Sequence, residues 1–292
     1  MKDKYTKQWI TDNSIEIVDE YEDGVLTLRS LHYQLVSRGM TNDVQHYKRV
    51  VKAMIDARWD DKVSFEKFSD LDREMSGETK YEVTNLQDSI EYGKEAVSGW
   101  MDYYQKNRWE NQEVYLEVFI EKKALQGVFS RVCNKYDVAL GACKGYPSLT
   151  FLHATAQRFS IAVSNGKRPV IIYFGDYDPS GEDIPRSIVE NLSRFGVEVE
   201  LKRVALMEHQ VIAWKLPPAP AKLTDSRTAA WEGLGQVELD AVKPEKLIKM
   251  CEDEINELFD YELYGDLKAQ EREEKAEYKI ELQKYVNTLK EE

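Results

Sequence analysis

Two aspartates one residue apart, Asp176 and Asp178, are the residues of this sequence best suited to chemistry. They follow the apolar run 170–174 and lie next to a Pro-Ser-Gly turn, a pattern typical of a buried strand that ends in a polar turn. Ligands bind at the carboxyl ends of such strands in α/β folds. Two carboxylates so close repel each other unless a cation lies between them. The pair therefore predicts a Mg²⁺ site, and a strand that simply ends in a polar turn is the alternative.

Glu121 supplies a third carboxylate in the same position relative to its strand, because it directly follows the apolar run 114–120. If these two strands are neighbours, Glu121 faces Asp176 and Asp178, since the carboxyl ends of parallel strands meet at one edge of a sheet. We therefore expect Glu121, Asp176 and Asp178 to bind Mg²⁺, with Mn²⁺ as an alternative ion. Bound there, the ion would polarise a phosphodiester and stabilise a leaving oxygen.

Tyr33 is a candidate nucleophile in the N-terminal segment. It lies one helical turn after Arg29 and points away from the leucine stripe of its predicted helix. A guanidinium beside a phenol favours the phenolate and also binds phosphate. Arg29 and Tyr33 therefore suit a tyrosine that attacks DNA. The alternative is a half-buried tyrosine on the shoulder of an amphipathic helix.

Basic residues in two regions are candidates for DNA binding. Thr27 is a predicted N-cap, and two helices joined by a turn at Gly39 favour a helix-turn-helix or winged helix that binds double-stranded DNA. Many helix hairpins also carry basic outer surfaces, so the alternative is a simple two-helix hairpin. After the strands, a lysine either holds a phosphate or is a solvated surface charge. The candidates are Lys48, Arg49, Lys52 and Arg58 on the second helix, and Lys122 and Lys144 after the strands.

The spacing of apolar residues changes along the chain, and this change predicts the strands and helices that position the candidate residues. Residues 113–245 predict the order β-α-β-α-β-α-β, hence an α/β domain with a Rossmann-like parallel sheet. Residues 1–75 predict an α-rich domain of winged-helix type, and residues 76–112 a helical linker. Residues 246–292 predict a C-terminal helical segment with a solvated, charge-paired surface.

Composition limits the function classes. The chain has 292 residues, a net charge of −13 and three widely spaced cysteines. No apolar run is long enough to span a membrane, and the charged N-terminus lacks the apolar core of a signal peptide. We expect a cytoplasmic protein with reduced thiols and no membrane association. The acidic net charge argues against simple nucleic-acid binding, yet residues 27–58 are locally basic.

The motif DYDPSGED, with EKKAL before it and GYPS between, resembles the Toprim domain of topoisomerases, primases and related nucleases. It is similar to the A subunit of topoisomerase VI and the meiotic double-strand-break transesterase. In that superfamily a winged helix precedes the Toprim domain, and the active tyrosine follows an arginine by four positions. Arg29 and Tyr33 fit this spacing, although His32 replaces the first of two adjacent aromatics.

The resemblance implies a symmetric homodimer in which the tyrosine of one protomer meets the metal site of the other. Attack by Tyr33 would leave a 5′-phosphotyrosyl protein and a free 3′-hydroxyl. Strand passage would require a separate ATPase subunit. We therefore expect a Mg²⁺-dependent DNA-cleaving protein of the type IIB topoisomerase A-subunit type. The alternatives are a Toprim nuclease that uses a metal-activated water, with Tyr33 structural, and a non-catalytic DNA-binding protein.

A proline-rich segment follows the last predicted strand, and its LPPAPAKLTDSR tail is similar to that of Toprim proteins from bacteria and phages. Its charged residues are candidates for dimer contacts, phosphate contacts or a further metal ligand, and structural ion pairing is the favoured interpretation. These residues are Lys222, Asp225, Arg227, Glu238 and Asp240.

Overall fold

A computed structural model describes residues 4–20, 26–68, 85–100, 102–218 and 235–288. The chain forms two compact units, which differ from the predicted segments. Unit 1 comprises residues 1–73 and 114–258, and unit 2 comprises residues 74–113 and 259–292. The predicted N-terminal and α/β domains therefore belong to one unit. Lys222, Asp225 and Arg227 lie outside the described residues.

Unit 1 contains a four-stranded parallel sheet in the order β2-β1-β3-β4. The expectation of a Rossmann-like parallel sheet is confirmed. Its central strands are almost entirely buried, as expected for strands covered on both faces. The strands are β1 (Val114–Ile120), β2 (Ala139–Ala142), β3 (Arg168–Phe174) and β4 (Glu200–Ala205).

Helices cover both faces of this sheet. Phe119 contacts Phe151 of one helix, whereas Phe174 contacts Phe129 of another. Phe119 is paired with Tyr173, so Phe119 and Phe174 point to opposite faces. The helices of this part are α5 (Gln126–Tyr136), α6 (Leu149–Ser164), α7 (Pro179–Arg194), α8 (Glu208–Trp214) and α9 (Pro244–Leu258).

The N-terminal part of unit 1 is helical where the structure describes it. Its helices are α1 (Lys7–Asp19), α2 (Leu28–Ser37) and α3 (Val44–Trp59). Thr27 caps α2 as predicted, since its side chain accepts a hydrogen bond from Ser30 N. Gly39, with φ +101°, follows the end of α2, in the left-handed conformation that glycine adopts readily. Leu31, Leu35, Val50 and Met54 form the core between the helices.

Unit 2 contains α4 (Leu86–Trp100) and α10 (Tyr261–Thr288). Residues 102–113 pack along α10 and the residues before it. Lys106 N donates a hydrogen bond to Glu271, and Trp109 meets Phe259, which precedes α10, edge to face. Most side chains of α10 are exposed, which agrees with the predicted solvated surface. In the described ranges of the chain, no helix is long and apolar enough to cross a membrane.

Candidate functional site

A cleft of about 870 Å³ in unit 1 lies between α2, α3 and the carboxyl edge of the sheet. It brings together most of the residues that the sequence singled out. Glu121, Lys122 and Asp176 line it from the ends of β1 and β3, while Arg29 and Arg58 line it from the helices. This is the position at which open parallel sheets bind ligands.

Glu121 and Asp176 lie side by side because β1 and β3 are neighbours, as the predicted Mg²⁺ site would require. Glu121 N donates a hydrogen bond to Phe174 O, and Glu121 Oε2 accepts one of 2.8 Å from Asp176 N. A Cβ on Gly175 would lie 2.6 Å from the Tyr173 ring and 2.9 Å from Glu121 Oε2, so a larger residue would force these side chains to move. Both carboxylates are buried, with exposed fractions of 8% for Glu121 and 1% for Asp176.

Asp178, the third predicted ligand, does not line this cleft. It is the N-cap of α7, and its Oδ1 accepts a hydrogen bond of 2.7 Å from Gly181 N. Pro179 occupies the first helical position. An aspartate followed by proline is a recognised helix start, so this role was readable from the sequence.

Lys122 lies among three buried carboxylates, so it is not the solvated surface charge that the alternative interpretation expected. Its Nζ is 3.1 Å from Asp176 Oδ2, 2.9 Å from Glu238 Oε2 and 3.0 Å from Asp240 Oδ2. Asp176 Oδ1 also accepts a hydrogen bond of 2.7 Å from Leu239 N. The segment 236–241 therefore completes the acid cluster, which we define as Glu121, Asp176, Glu238 and Asp240.

The charges of this cluster shift the pKa values of its members. Burial raises the pKa of Asp176 to about 7, because the opposing attraction of Lys122 is partly cancelled by the charge of Glu121. Burial also disfavours the charge of Glu238, yet the hydrogen bonds from Arg29 and the charge of Lys122 lower its pKa to about 2. The three carboxylates raise the pKa of Lys122 well above its usual value despite burial.

Arg29 lies beside Tyr33 as predicted, with its guanidinium 5.9 Å from the ring centroid, and it also binds a carboxylate of the cluster. Its guanidinium donates two hydrogen bonds of 2.6 Å to the Glu238 carboxylate. Thr27 Oγ1 donates one of 3.1 Å to Asp240. These contacts join the start of α2 to a segment more than 200 residues later, as the ion-pairing interpretation of Glu238 and Asp240 expected.

Tyr33 is 1% exposed and does not line the cleft. Its hydroxyl has no hydrogen-bond partner among the described residues. Burial and the charge of Glu238 raise its pKa to about 12, and the attraction of Arg29 and Lys122 does not compensate. The expected phenolate is therefore disfavoured in this conformation. Tyr33 is more deeply buried than even the structural alternative expected.

The acid cluster suits Mg²⁺ in its chemistry, although it is not preformed around an ion. It offers four carboxylates, the hard-oxygen ligands that Mg²⁺ prefers. Lys122 contacts three of them and Arg29 contacts one. Asp176 Oδ2 and Asp240 Oδ2 are buried and contact the Lys122 ammonium. With Lys122 in place, the described residues contain no group of three or more potential ligands arranged to hold a metal ion.

The remaining predicted DNA contacts differ in exposure. Lys48 and Lys52 are exposed on α3, and Lys144 is exposed and lines the cleft. Arg49 is half-buried and donates a hydrogen bond to Tyr5 O. Arg58 packs between Phe65 and Phe68, as described below.

Arg203, which the sequence did not single out, holds the turn that carries Asp176. Its guanidinium donates hydrogen bonds of 2.9 Å to Asp176 O and 2.7 Å to Leu206 O. No spacing or motif distinguishes this arginine, because its role depends on β4 lying beside β3.

Gly181→Ala tests how tightly the start of α7 is packed against this turn. A Cβ at Gly181 would lie 2.1 Å from Asp176 O, so α7 or the turn must move. We expect the free energy of unfolding, measured by urea denaturation, to fall by about 1–3 kcal/mol. Gly265→Ala is the control, because open space surrounds that helical position. An equal effect of both substitutions would contradict the prediction.

Comparison of the chain with protein-family models, with curated proteins and with solved structures found no match.

Proposed function

We propose that unit 1 is a Mg²⁺-dependent enzyme that cleaves phosphodiester bonds of DNA in the cleft, through a Toprim-type α/β domain and a winged-helix-type N-terminal part. One observation carries the proposal. Three carboxylates from two segments, Asp176 and the pair Glu238 and Asp240, converge on the ammonium of Lys122 at the carboxyl edge of a parallel sheet, and Arg29 pairs with Glu238. A structural salt bridge needs one carboxylate per cation, whereas an acid excess favours an added cation.

The charges that line the cleft are divided in a way that suits a metal ion and a phosphate. The acids are buried, whereas Lys144 is exposed and Arg58 and Lys123 are half-buried. Glu121 and Asp176, with Asp240 and Glu238, would hold Mg²⁺ after the Lys122 ammonium gives up part of its contacts. When bound, the ion supplies activation of a water and stabilisation of the leaving oxygen. Lys144, Lys123 and Arg58 would bind and orient the DNA phosphates.

Water is a better nucleophile for this site than the tyrosine. A nucleophilic Tyr33 would need an exposed hydroxyl and a lowered pKa. Its hydroxyl is buried and its pKa is raised to about 12. The nuclease alternative therefore replaces the tyrosine mechanism as our proposal, and Tyr33 is assigned to the packing of α2. The homodimer and a separate ATPase subunit stay predictions.

Incubation of the full chain with supercoiled plasmid and Mg²⁺ or Mn²⁺ tests the proposal, with a chelator as the blank. We expect nicked or linear DNA with free ends, and the same products from Tyr33→Phe. Denaturing gels and capture of protein-linked DNA separate the mechanisms. Protein attached to 5′ ends, and lost in Tyr33→Phe, would restore the tyrosine mechanism. Absence of cleavage with both ions would overturn the proposed function.

A further inference from the structure

The end of α3 carries an exposed aromatic surface that the proposed cleavage does not use. Trp59 is 75% exposed and Phe65 is 54% exposed, and their rings meet edge to face with centroids 5.7 Å apart. The Arg58 guanidinium lies 5.4 Å from the ring centroid of Phe65 and 5.2 Å from that of Phe68. We call these four residues the aromatic platform. Clustered apolar side chains with this exposure mark binding surfaces.

The platform is continuous with the cleft. Arg58 and Phe68 belong to the platform and also line the cleft that contains Glu121 and Asp176. A ligand that lies in the cleft therefore reaches the aromatic rings without crossing another element.

Basic side chains precede the platform on the exposed side of α3. Lys48, Lys52 and Trp59 are all exposed, and their spacing places them on one side of the helix. This row extends over about 16 Å. Two nearby acids already have partners, since Asp56 pairs with Lys7 and Asp60 pairs with Lys62.

The charge balance of this region is opposite to that of the chain. Residues 48–68 contain six lysines and arginines and four acids, including the exposed Asp61 and Glu66, whereas the whole chain has a net charge of −13. A basic row that leads to exposed rings complements a polyanion with aromatic faces, which is the chemistry of a nucleic-acid strand. An apolar protein partner would need the rings and not the row of lysines.

We propose that the aromatic platform stacks the unpaired bases of a single-stranded stretch of nucleic acid whose backbone runs along Lys48 and Lys52 and continues into the cleft. This inference rests on the proposed function in one respect, because it names DNA with an unpaired segment beside the cut as the substrate. Rings stack on every base, and Arg58 adds cation–π attraction. A duplex hides the faces of its bases and offers only phosphates to this surface.

Binding of the full chain to three fluorescent probes, measured by anisotropy with a chelator present, tests the proposal. The probes are an oligothymidine, a duplex of equal length and an abasic strand with the same phosphates. We expect Trp59→Ala and Phe65→Ala each to weaken oligothymidine binding about tenfold or more. Trp59→Phe should retain binding within about threefold, because phenylalanine also stacks. Duplex and abasic binding should change little in all three variants.

Phe195→Ala is the matched control. Phe195 is 39% exposed and lies between α7 and β4, at the end of the sheet opposite the cleft. Equal losses in Trp59→Ala and Phe195→Ala, or equal losses on oligothymidine and duplex, would overturn the stacking role. So would failure of both DNA forms to bind, which would leave a protein partner for the platform. Because no metal is present, absence of cleavage would not affect this result.

Discussion

Asp176→Asn and Glu121→Gln are each expected to lower Mg²⁺-dependent cleavage of plasmid DNA by on the order of 10³-fold, because a lost metal ligand removes several kcal/mol of transition-state stabilisation. Glutamine keeps an oxygen that can accept the hydrogen bond from Asp176 N, so Glu121→Gln should preserve the local fold. Initial rates at saturating Mg²⁺, together with circular dichroism of each variant, measure the effect.

Two further substitutions show whether the effect belongs to the cleft. Asp183→Asn removes a carboxylate from the first turns of α7 that pairs with Arg186 and does not line the cleft, and it should change the rate less than threefold. Asp178→Asn should lower the cleavage rate far less than Asp176→Asn, since asparagine is an equally good N-cap. If Asp178→Asn is as damaging as Asp176→Asn, Asp178 is a ligand and not only a cap.

The sequence predicted the sheet well, because strands and crossovers depend on local patterns. Strand β1 was predicted to the residue, and the neighbouring position of β1 and β3, on which the site depended, is confirmed. Ends of elements were less accurate. The predicted Pro-Ser-Gly turn is the first turn of helix α7, which begins at Pro179, and Asp178 and Pro179 are a helix-start signal.

The sequence could not predict the partners of Lys122 and Arg29, because these contacts are long-range. Glu238 lies 116 residues from Lys122 and 209 residues from Arg29. No periodicity within one element predicts that segment 236–241 folds over the carboxyl end of the sheet.

The burial of Tyr33 has the same origin. Helical periodicity placed it away from the leucine stripe, which is correct for the core of the N-terminal part. The side of α2 that carries Tyr33 is also covered, since α2 packs against the turn Leu239–Ala241. A helix with two buried sides has no exposed shoulder for a nucleophile, and its own sequence reveals only the stronger of the two stripes.

Lys122→Met is expected to lower the free energy of unfolding by about 3–5 kcal/mol near pH 8.5, because it leaves buried carboxylates without their cation. Methionine keeps much of the volume of the lysine stem, so the loss is mainly electrostatic. Lys202→Met is the matched control, since Lys202 also contacts two carboxylates, those of Glu254 and Glu257, but is 39% exposed. Lys202→Met should lower the free energy of unfolding by about 1 kcal/mol or less. Urea denaturation of both variants measures the difference.

The pH dependence of this penalty has a defined sign. The pKa of Asp176 is raised from 3.8 to about 7 by folding, so between these values the folded chain binds more protons than the unfolded chain. The contribution of Asp176 to stability therefore falls as the pH rises through this window. Removal of Lys122 raises the pKa of Asp176 further, because its attraction is lost. The penalty of Lys122→Met should thus shrink as the pH is lowered from about 8.5 to 6.

Mg²⁺ should rescue the same variant if the acid cluster is a cation site. Without the ammonium, Asp176, Glu238 and Asp240 still converge, and an ion that binds only the folded state stabilises it by about 2.7 kcal/mol at a concentration one hundred times its Kd. We expect a larger Mg²⁺-dependent rise in Tm for Lys122→Met than for the wild type or Lys202→Met. A variant that neither acid nor Mg²⁺ restabilises would mean that Lys122 contributes packing alone, and the electrostatic argument for a metal in this cleft would fail with it.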